Sequence, residues 1–453
     1  MGHWAYDSVF YHIYPLGFCG APQENDFCSP ANHRLELIYE WLEHLQNLGV
    51  NALYLGPLFE SSAHGYDTVD YFRVDRRLGS NKTLADLSTS LHQKGIRLIL
   101  DGVFNHVGRD FWAFRDVLER HDQSAYGDWF QGLDFQKRSP YNDPFTYESW
   151  NGHHNLVKLN LHNPAVKDHL FQAVDMWIRE FDLDGLRLDV ADSLDLTFLK
   201  ELSAFGKSRR ADFWLMGEVI HGDYRKWLNP ETLDSVTNYV GYKGLYSSHV
   251  DRNYFELAHT LNRQFGENGM YRNLLLYSFA DNHDVHRLAS QLKNPAHLYP
   301  IYSLLFTMPG VPSIYYGSEW GIAGKRTSRS DQALRPRLDF FQISHHSPHP
   351  DLPGVIGRLA QVRHHSPALR YGNYRPLLVK SEQLAFARQT PDECVIVAVN
   401  AADKPVPLEL SVPDPRKKQL IDLLNEGDRF PVHGGKARIP AVNPCWARIM
   451  TAK

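Results

Sequence analysis

Four short segments of the 453-residue sequence each end an apolar run on ionisable side chains. DGVFNH (101–106) carries Asp101, Asn105 and His106, and GLRLDVAD (185–192) carries Arg187, Asp189 and Asp192. GEV (217–219) carries Glu218, and FADNHD (279–284) carries Asp281, Asn282, His283 and Asp284. Arg187 and Asp189 are two residues apart, so on a strand their side chains leave the same face. A guanidinium beside a carboxylate favours its ionised form, which a carboxylate nucleophile requires. A second carboxyl in a less polar setting keeps its proton and serves as general acid. Two carboxyls with divided roles are what glycoside hydrolysis needs, and in retaining enzymes they stand about 5–5.5 Å apart. Carboxylates with imidazoles also suit a metal ion, but Arg187 would put positive charge where the ion sits. Singly, an Asp at a strand end is usually a helix cap and a neighbouring His a structural hydrogen-bonding group. The joint placement at four strand ends argues for function.

Those ends presuppose strands. Short apolar runs occupy residues 9–14, 50–55, 97–101, 185–190, 214–219, 235–240, 274–279 and 313–316. Helix-like amphipathic stretches lie between them, for example 35–48, 83–92, 166–181 and 254–265. Continuous rather than alternating apolar strands imply a parallel sheet covered on both faces. Eight such units imply an α/β fold of the (β/α)8 barrel type, with its active site at the carboxyl ends of the strands. A doubly wound open sheet satisfies the same periodicity. The barrel is expected over 1–106 and 163–368. Residues 107–162, rich in aromatics, Asp, Gly and His, are too long for a plain connection and form an inserted subdomain. Residues 369–453, with short strands divided by Pro, Asn, Asp and Gly, form a C-terminal antiparallel β-sandwich.

Composition narrows the partners. Lys plus Arg is 48 and Asp plus Glu is 52, a net charge of −4, which gives no reason to expect nucleic acid or acidic lipid. Aromatic residues make up 13% of the chain, enough apolar surface to exclude disorder. The four cysteines form no CxxC pair, so a zinc site is not expected; whether Cys19 and Cys28 pair is left open. The pairs His153-His154, His345-His346 and His364-His365 offer no ligand geometry. The first residues lack a basic stretch followed by an apolar one, so no leader is expected. The most apolar stretch, 301–316, is broken by Pro309, Gly310 and Pro312, which argues against a membrane span. The expected compartment is the cytoplasm, with free thiols.

In their order the four segments resemble the signature regions of the α-amylase family, glycoside hydrolase family 13. NALYLGPLFES (51–61), HGYDTVDYF (64–72), LVKLNLHNP (156–164) and GVPSIYYGSEWG (310–321) extend the resemblance over nearly the whole chain. It implies a retaining mechanism on α-glucans, with Asp189 as nucleophile, Glu218 as general acid/base and Asp284 gripping hydroxyls of the sugar at subsite −1. It further implies that Arg187 orients and ionises Asp189, that His106 and His283 bind the same sugar, and that Tyr66 stacks beneath it. Asp331 and Arg335, in SDQALRPRL, resemble a pair that binds at subsite −2. Lys158, in VKLN, resembles the neopullulanase, cyclomaltodextrinase and maltogenic amylase branch. Ile220 stands where that branch commonly has a Trp on the acceptor side. Barrel-like sequence begins near Val9, without that branch's N-terminal β-domain, which implies a monomer. The calcium site of secreted members usually needs a His after the second region's Asp, where this chain has Val190-Ala191-Asp192. No metal or cofactor is therefore expected.

The resulting expectation is a cytoplasmic hydrolase of α-1,4 bonds in maltooligosaccharides and cyclodextrins. A 4-α-glucanotransferase would use the same nucleophile. The difference would lie at Ile220 and at inserted aromatics such as Trp129 and Trp150. A non-catalytic sugar-binding protein on the same fold is the third reading, although no catalytic carboxylate is missing.

Overall fold

The computed structural model describes residues 3–328 and 330–453. Eight buried strands are β1 (Phe10–Ile13), β2 (Ala52–Leu55), β3 (Arg97–Gly102), β4 (Gly185–Leu188), β5 (Trp214–Gly217), β6 (Ser235–Thr237), β7 (Leu276–Phe279) and β8 (Val311–Tyr315). Each pairs in parallel with its neighbours in sequence, and β8 pairs with β1. The sheet is thus a closed barrel and not an open doubly wound one. Inside it, Phe10, Ala52, Ile99, Trp214, Met216, Tyr277 and Val311 belong to one apolar cluster. At the carboxyl end the register sets His12 opposite Tyr54 and Asp101 opposite Arg187, so a polar layer caps the apolar filling. The eight expected strands are all present, and several end early, two of them for a visible reason. Asn238 stops β6, because its side chain accepts from the Gly241 backbone N–H (2.9 Å) and from Gln264 Nε2 (2.8 Å). Tyr239 and Val240 consequently open the helix Tyr239–Val250. β4 stops at Leu188, and Val190 turns into the left-handed region with φ 40° and ψ 48°.

The expected helix at 35–48 is divided. Arg34–Trp41 is a 3-10 helix and Leu42–Asn47 an α-helix. Leu35, Ile38 and Trp41 are its buried residues, a spacing of three that a three-residue turn keeps on one face. Ser80 caps the helix Asn81–Gln93 with a reciprocal box to Thr83, and Asn163 with Pro164 starts Pro164–Phe181.

Between the third and fourth strands, His106–Gly108, Ser149–Trp150 and His153–Lys158 form a three-stranded antiparallel sheet. Its core is aromatic, with Phe114 edge-on to Phe130 (5.1 Å) and Tyr147 (5.0 Å). Beyond residue 372 an eight-stranded antiparallel sheet begins. Val395, Val397 and Val399 join the cluster of the barrel, whereas Ile396 and Ala398 join Leu408, Phe430 and Ile439 in a second core. The period-two alternation of one strand thus feeds both. Arg388 joins the barrel to this sheet. It is fully buried and donates to the Thr307 carbonyl (2.7 Å), at the end of the helix Leu298–Thr307, and twice to the Gly372 carbonyl (3.1 and 2.9 Å). All four cysteines are free, so Cys19 and Cys28 are not bridged. Among the described residues no helix is long and apolar enough to cross a membrane.

Arg388→Ala strips two buried carbonyls of their donor and opens a cavity, so unfolding in urea should show a loss of at least about 3 kcal/mol.

Candidate active site

Arg187, on β4, lies at the centre of the barrel mouth and is 3% exposed. Its Nη1 donates to both oxygens of Asp101 (2.9 and 3.1 Å) and to Asp189 Oδ1 (3.0 Å), while Nη2 stands 2.7 Å from Glu218 Oε2. Asp189 follows β4 and Glu218 follows β5, so two adjacent strand ends put their carboxyls on one guanidinium. The turn at Val190 tightens the arrangement, because its backbone N–H donates to Glu218 Oε2 (3.1 Å). A β-branched residue in the left-handed region is strained, and here the strain coincides with a contact between the two carboxyl-bearing loops. Tyr239, the first residue of the helix that Asn238 caps, donates to Glu218 Oε1 (3.1 Å).

The guanidinium that is expected to orient and ionise Asp189 faces three carboxyls at once. Burial pushes the Asp189 carboxyl up, Arg187 pulls it down, and the charges of Glu218, Asp101 and Asp284 add to the rise, which prevails. Asp284 behaves oppositely. Burial raises it, but His283, Arg335 and Arg187 together hold it well below the usual carboxylate range. His283 Nε2 is 3.0 Å from Asp284 Oδ2, and Arg335 donates to Asp284 Oδ1 (2.9 Å) and to the His283 carbonyl (3.0 Å).

Tyr66 ties the two halves together. Its hydroxyl lies 3.2 Å from Asp101 Oδ2 and hydrogen-bonds His283 Nε2, and the Tyr66 and His283 rings stack 5.6 Å apart. His106 Nε2 stands 3.9 Å from Asp189 Oδ2. Burial, with the neighbouring His64, pushes the His106 pKa down to about 3. The structure thus brings Asp189, Glu218, Asp284, Arg187, Tyr66, His106 and His283 together. Arg335 belongs with them through Asp284, and only loosely through Asp331, 3.6 Å away. Asp331 is instead held at two points by Arg326 (2.6 and 2.9 Å). Lys158 pairs by its backbone with His106, but its ammonium turns to Glu148 (3.3 Å). Ile220 is 39% exposed just beyond Glu218. Of the two inserted aromatics, Trp150 stands 5.9 Å from the His106 ring. Trp129 is buried against Trp112 and Tyr126, which leaves it no free face for a sugar.

Four contributors escaped the sequence reading. His12 and Tyr54 sit on inward positions of β1 and β2, and the strand alternation would have found them. Tyr239 was hidden because residues 235–240 read as one strand, and Arg326 lies in a loop without a pattern. Asp281, beside the site in sequence, is structural: it accepts from the Leu288 N–H (2.7 Å) and from Ser318 Oγ (2.8 Å). Among the described residues no group of three or more His, Cys, Asp or Glu is arranged to hold a metal ion.

This constellation, at the carboxyl ends of a closed barrel, is that of a glycosidase. The alpha amylase catalytic domain matches residues 12–345, and the maltogenic amylase C-terminal domain matches residues 375–442. The chain belongs to the α-amylase family of glycoside hydrolases. A cyclomaltodextrinase from a Bacillus species is 32% identical over 420 residues, covering 88% of this chain and 73% of that protein. An intracellular maltogenic amylase of Bacillus subtilis is 32% identical over 342 residues, covering 71% of this chain and 57% of that one. The solved structure of a cyclic alpha-maltosyl-(1→6)-maltose hydrolase from Arthrobacter globiformis matches with a TM-score of 0.82 at 27% identity, covering 100% of this chain and 99% of that one.

A pKa of about 3 leaves His106 neutral above about pH 4, so it hydrogen-bonds without titrating in the working range. His106→Gln should lower kcat/KM by about 3–10-fold, the worth of one neutral hydrogen bond, and leave the acid limb of the pH profile in place.

Proposed function

We propose that the protein is a retaining hydrolase of α-1,4-glucosidic bonds in maltooligosaccharides and cyclodextrins. The observation that carries this reading is the single guanidinium of Arg187 touching both Asp189 and Glu218. Two carboxyls held by one planar group are close enough for one to attack a sugar carbon while the other protonates its leaving oxygen. In this account Glu218 enters protonated and delivers its proton to the glycosidic oxygen as the C1–O bond breaks. Asp189, ionised and held by Arg187, bonds to C1 and forms a β-glucosyl ester. Glu218 then takes a proton from water, the water oxygen bonds to C1, and the ester releases the Asp189 carboxylate. Asp284, kept ionised by His283 and Arg335, accepts hydrogen bonds from sugar hydroxyls, with His106 at the opposite side beside Asp189. Asp331 and Arg335 extend the polar surface outward, which suits the next sugar.

The substrate class is supported by the name of the cyclomaltodextrinase and by the maltogenic amylase relative, and the match of the C-terminal domain points the same way. Four unbridged cysteines and the intracellular relative support the cytoplasm. Ile220 favours a second reading, because an exposed apolar side chain just past the acid/base offers a surface to an incoming sugar acceptor. Products longer than maltotriose, formed from maltotriose, would show that transfer to sugar outruns hydrolysis.

Digestion of maltoheptaose should yield shorter sugars with the unaltered protein and none with Asp189→Asn, whose melting temperature should stay close to that of the parent. Glu218→Gln should cut kcat by about 10²–10⁴-fold, the usual worth of a general acid/base. Near-normal turnover in either variant would overturn the assigned roles.

A further inference from the structure

His12 is an ionisable side chain of the barrel mouth with no place in the mechanism above. It lies on β1, in register with Tyr54 of β2 and Tyr315 of β8, and is 3% exposed. Its ring stacks on Tyr54, with centroids 4.2 Å apart and planes at 22°. It meets His283 edge to face at 5.1 Å and 87°. Tyr54 in turn donates to Asp101 (2.9 Å), so His12 is wedged between the Arg187 cluster and the Asp284 cluster.

The unpaired atoms are informative. Among the described residues, His12 Nε2 and His283 Nδ1 are both buried without a hydrogen-bond partner, and they belong to the two rings in edge-to-face contact. Leaving a buried nitrogen unpaired lowers stability, and a leucine or phenylalanine would avoid that loss. A fold optimised for stability alone would not keep an imidazole at this position. Such a compromise is characteristic of functional sites.

The neighbours define what an imidazole does here. The charged groups facing His12 are Arg187, Asp284 and Arg335, together with the His283 ring. Burial, His283, Arg187 and Arg335 push its pKa well below the usual histidine range, against the opposing pull of Asp284. These neighbours disfavour the charged ring, so His12 meets His283 edge to face without adding a cation beside Asp284. His283 has one nitrogen committed to Tyr66 and Asp284. A half-turn of its ring would take that nitrogen away from both.

We propose that His12 is a positioning residue, whose polar ring edge against His283 keeps His283 Nε2 turned towards Asp284 and Tyr66. Its effect on catalysis runs through His283 and Asp284 and rests on the hydrolase reading. An apolar residue of similar size would pack well and leave His283 free to turn.

Three variants test this. His12→Leu should melt at or above the parent temperature while losing at least about tenfold in kcat on maltoheptaose, with KM changed less than about threefold, the signature of a contact needed in the transition state. His12→Gln restores polar atoms and should keep kcat within about threefold of the parent. The double variant His12→Leu, His283→Ala should be no slower than His283→Ala alone, because coupled residues do not add. A leucine variant with parental kcat, a glutamine variant as slow as the leucine one, or losses that multiply in the double variant would each overturn the proposal. Imidazole nitrogen NMR of His283 reads the same question without turnover: its nitrogen shifts should move in His12→Leu and stay in His12→Gln, and unchanged shifts in both would refute the positioning. An unaltered protein that leaves maltoheptaose intact would defeat the hydrolase reading, while the NMR result would still decide the role of His12.

Discussion

The structure is organised around a buried cation that serves three anions. Arg187 is 3% exposed, and a guanidinium so enclosed is tolerable only when its donors are paired. Asp101, Asp189 and Glu218 supply the pairing from three consecutive barrel strands or the turns just beyond them. Closing the parallel barrel is what makes this possible. In an open sheet the same strand ends would fan apart, whereas the barrel points them at one axis. The apolar filling below, with Phe10, Trp214 and Met216, excludes water and raises the stakes of every polar contact above it.

That excess of carboxyl groups over guanidinium is a chemical asset as well as a stability problem. Glycoside hydrolysis consumes and restores one proton per turnover, and two of the three carboxyls on this cation, Asp189 and Glu218, are placed side by side to divide that work. Asp284 is set apart from these three by Arg335 and the His283 ring beside it, which hold its carboxyl well below the usual range. The two environments lie within one mouth and are linked by the Tyr66 hydroxyl. The division of labour among four acids of the same type thus follows from which cation each one faces.

Much of the rest of the chain serves to hold these contacts still. The strained Val190 turn, the cap formed by Asn238 and the hairpin that carries Trp150 all lie just beyond the strands that they extend. The C-terminal sheet contributes no side chain to the site; it covers the barrel through Val395, Val397 and Val399 and locks to it through Arg388. Lys158 and Asp331 show the limit of position as a guide to role, since each has its nearest charged partner outside the carboxylate cluster.

The eight strands and the acids at their ends were legible in the order of residues, because a buried parallel strand needs a continuous apolar run and a catalytic carboxyl must interrupt it at the mouth. The spacing of Arg187 and Asp189 already placed them on one face. Pattern could not decide closure of the sheet, the sharing of Arg187 among three acids, or the capture of Arg335 by Asp284. Those depend on distances between separate segments of the chain, and periodicity carries no information about which distant side chain arrives first. The position of Tyr239 was lost for a local reason, since one asparagine converted the end of a strand into the start of a helix. His12 escaped for another: a lone histidine within an apolar run acquires a meaning only when the barrel sets its ring against His283.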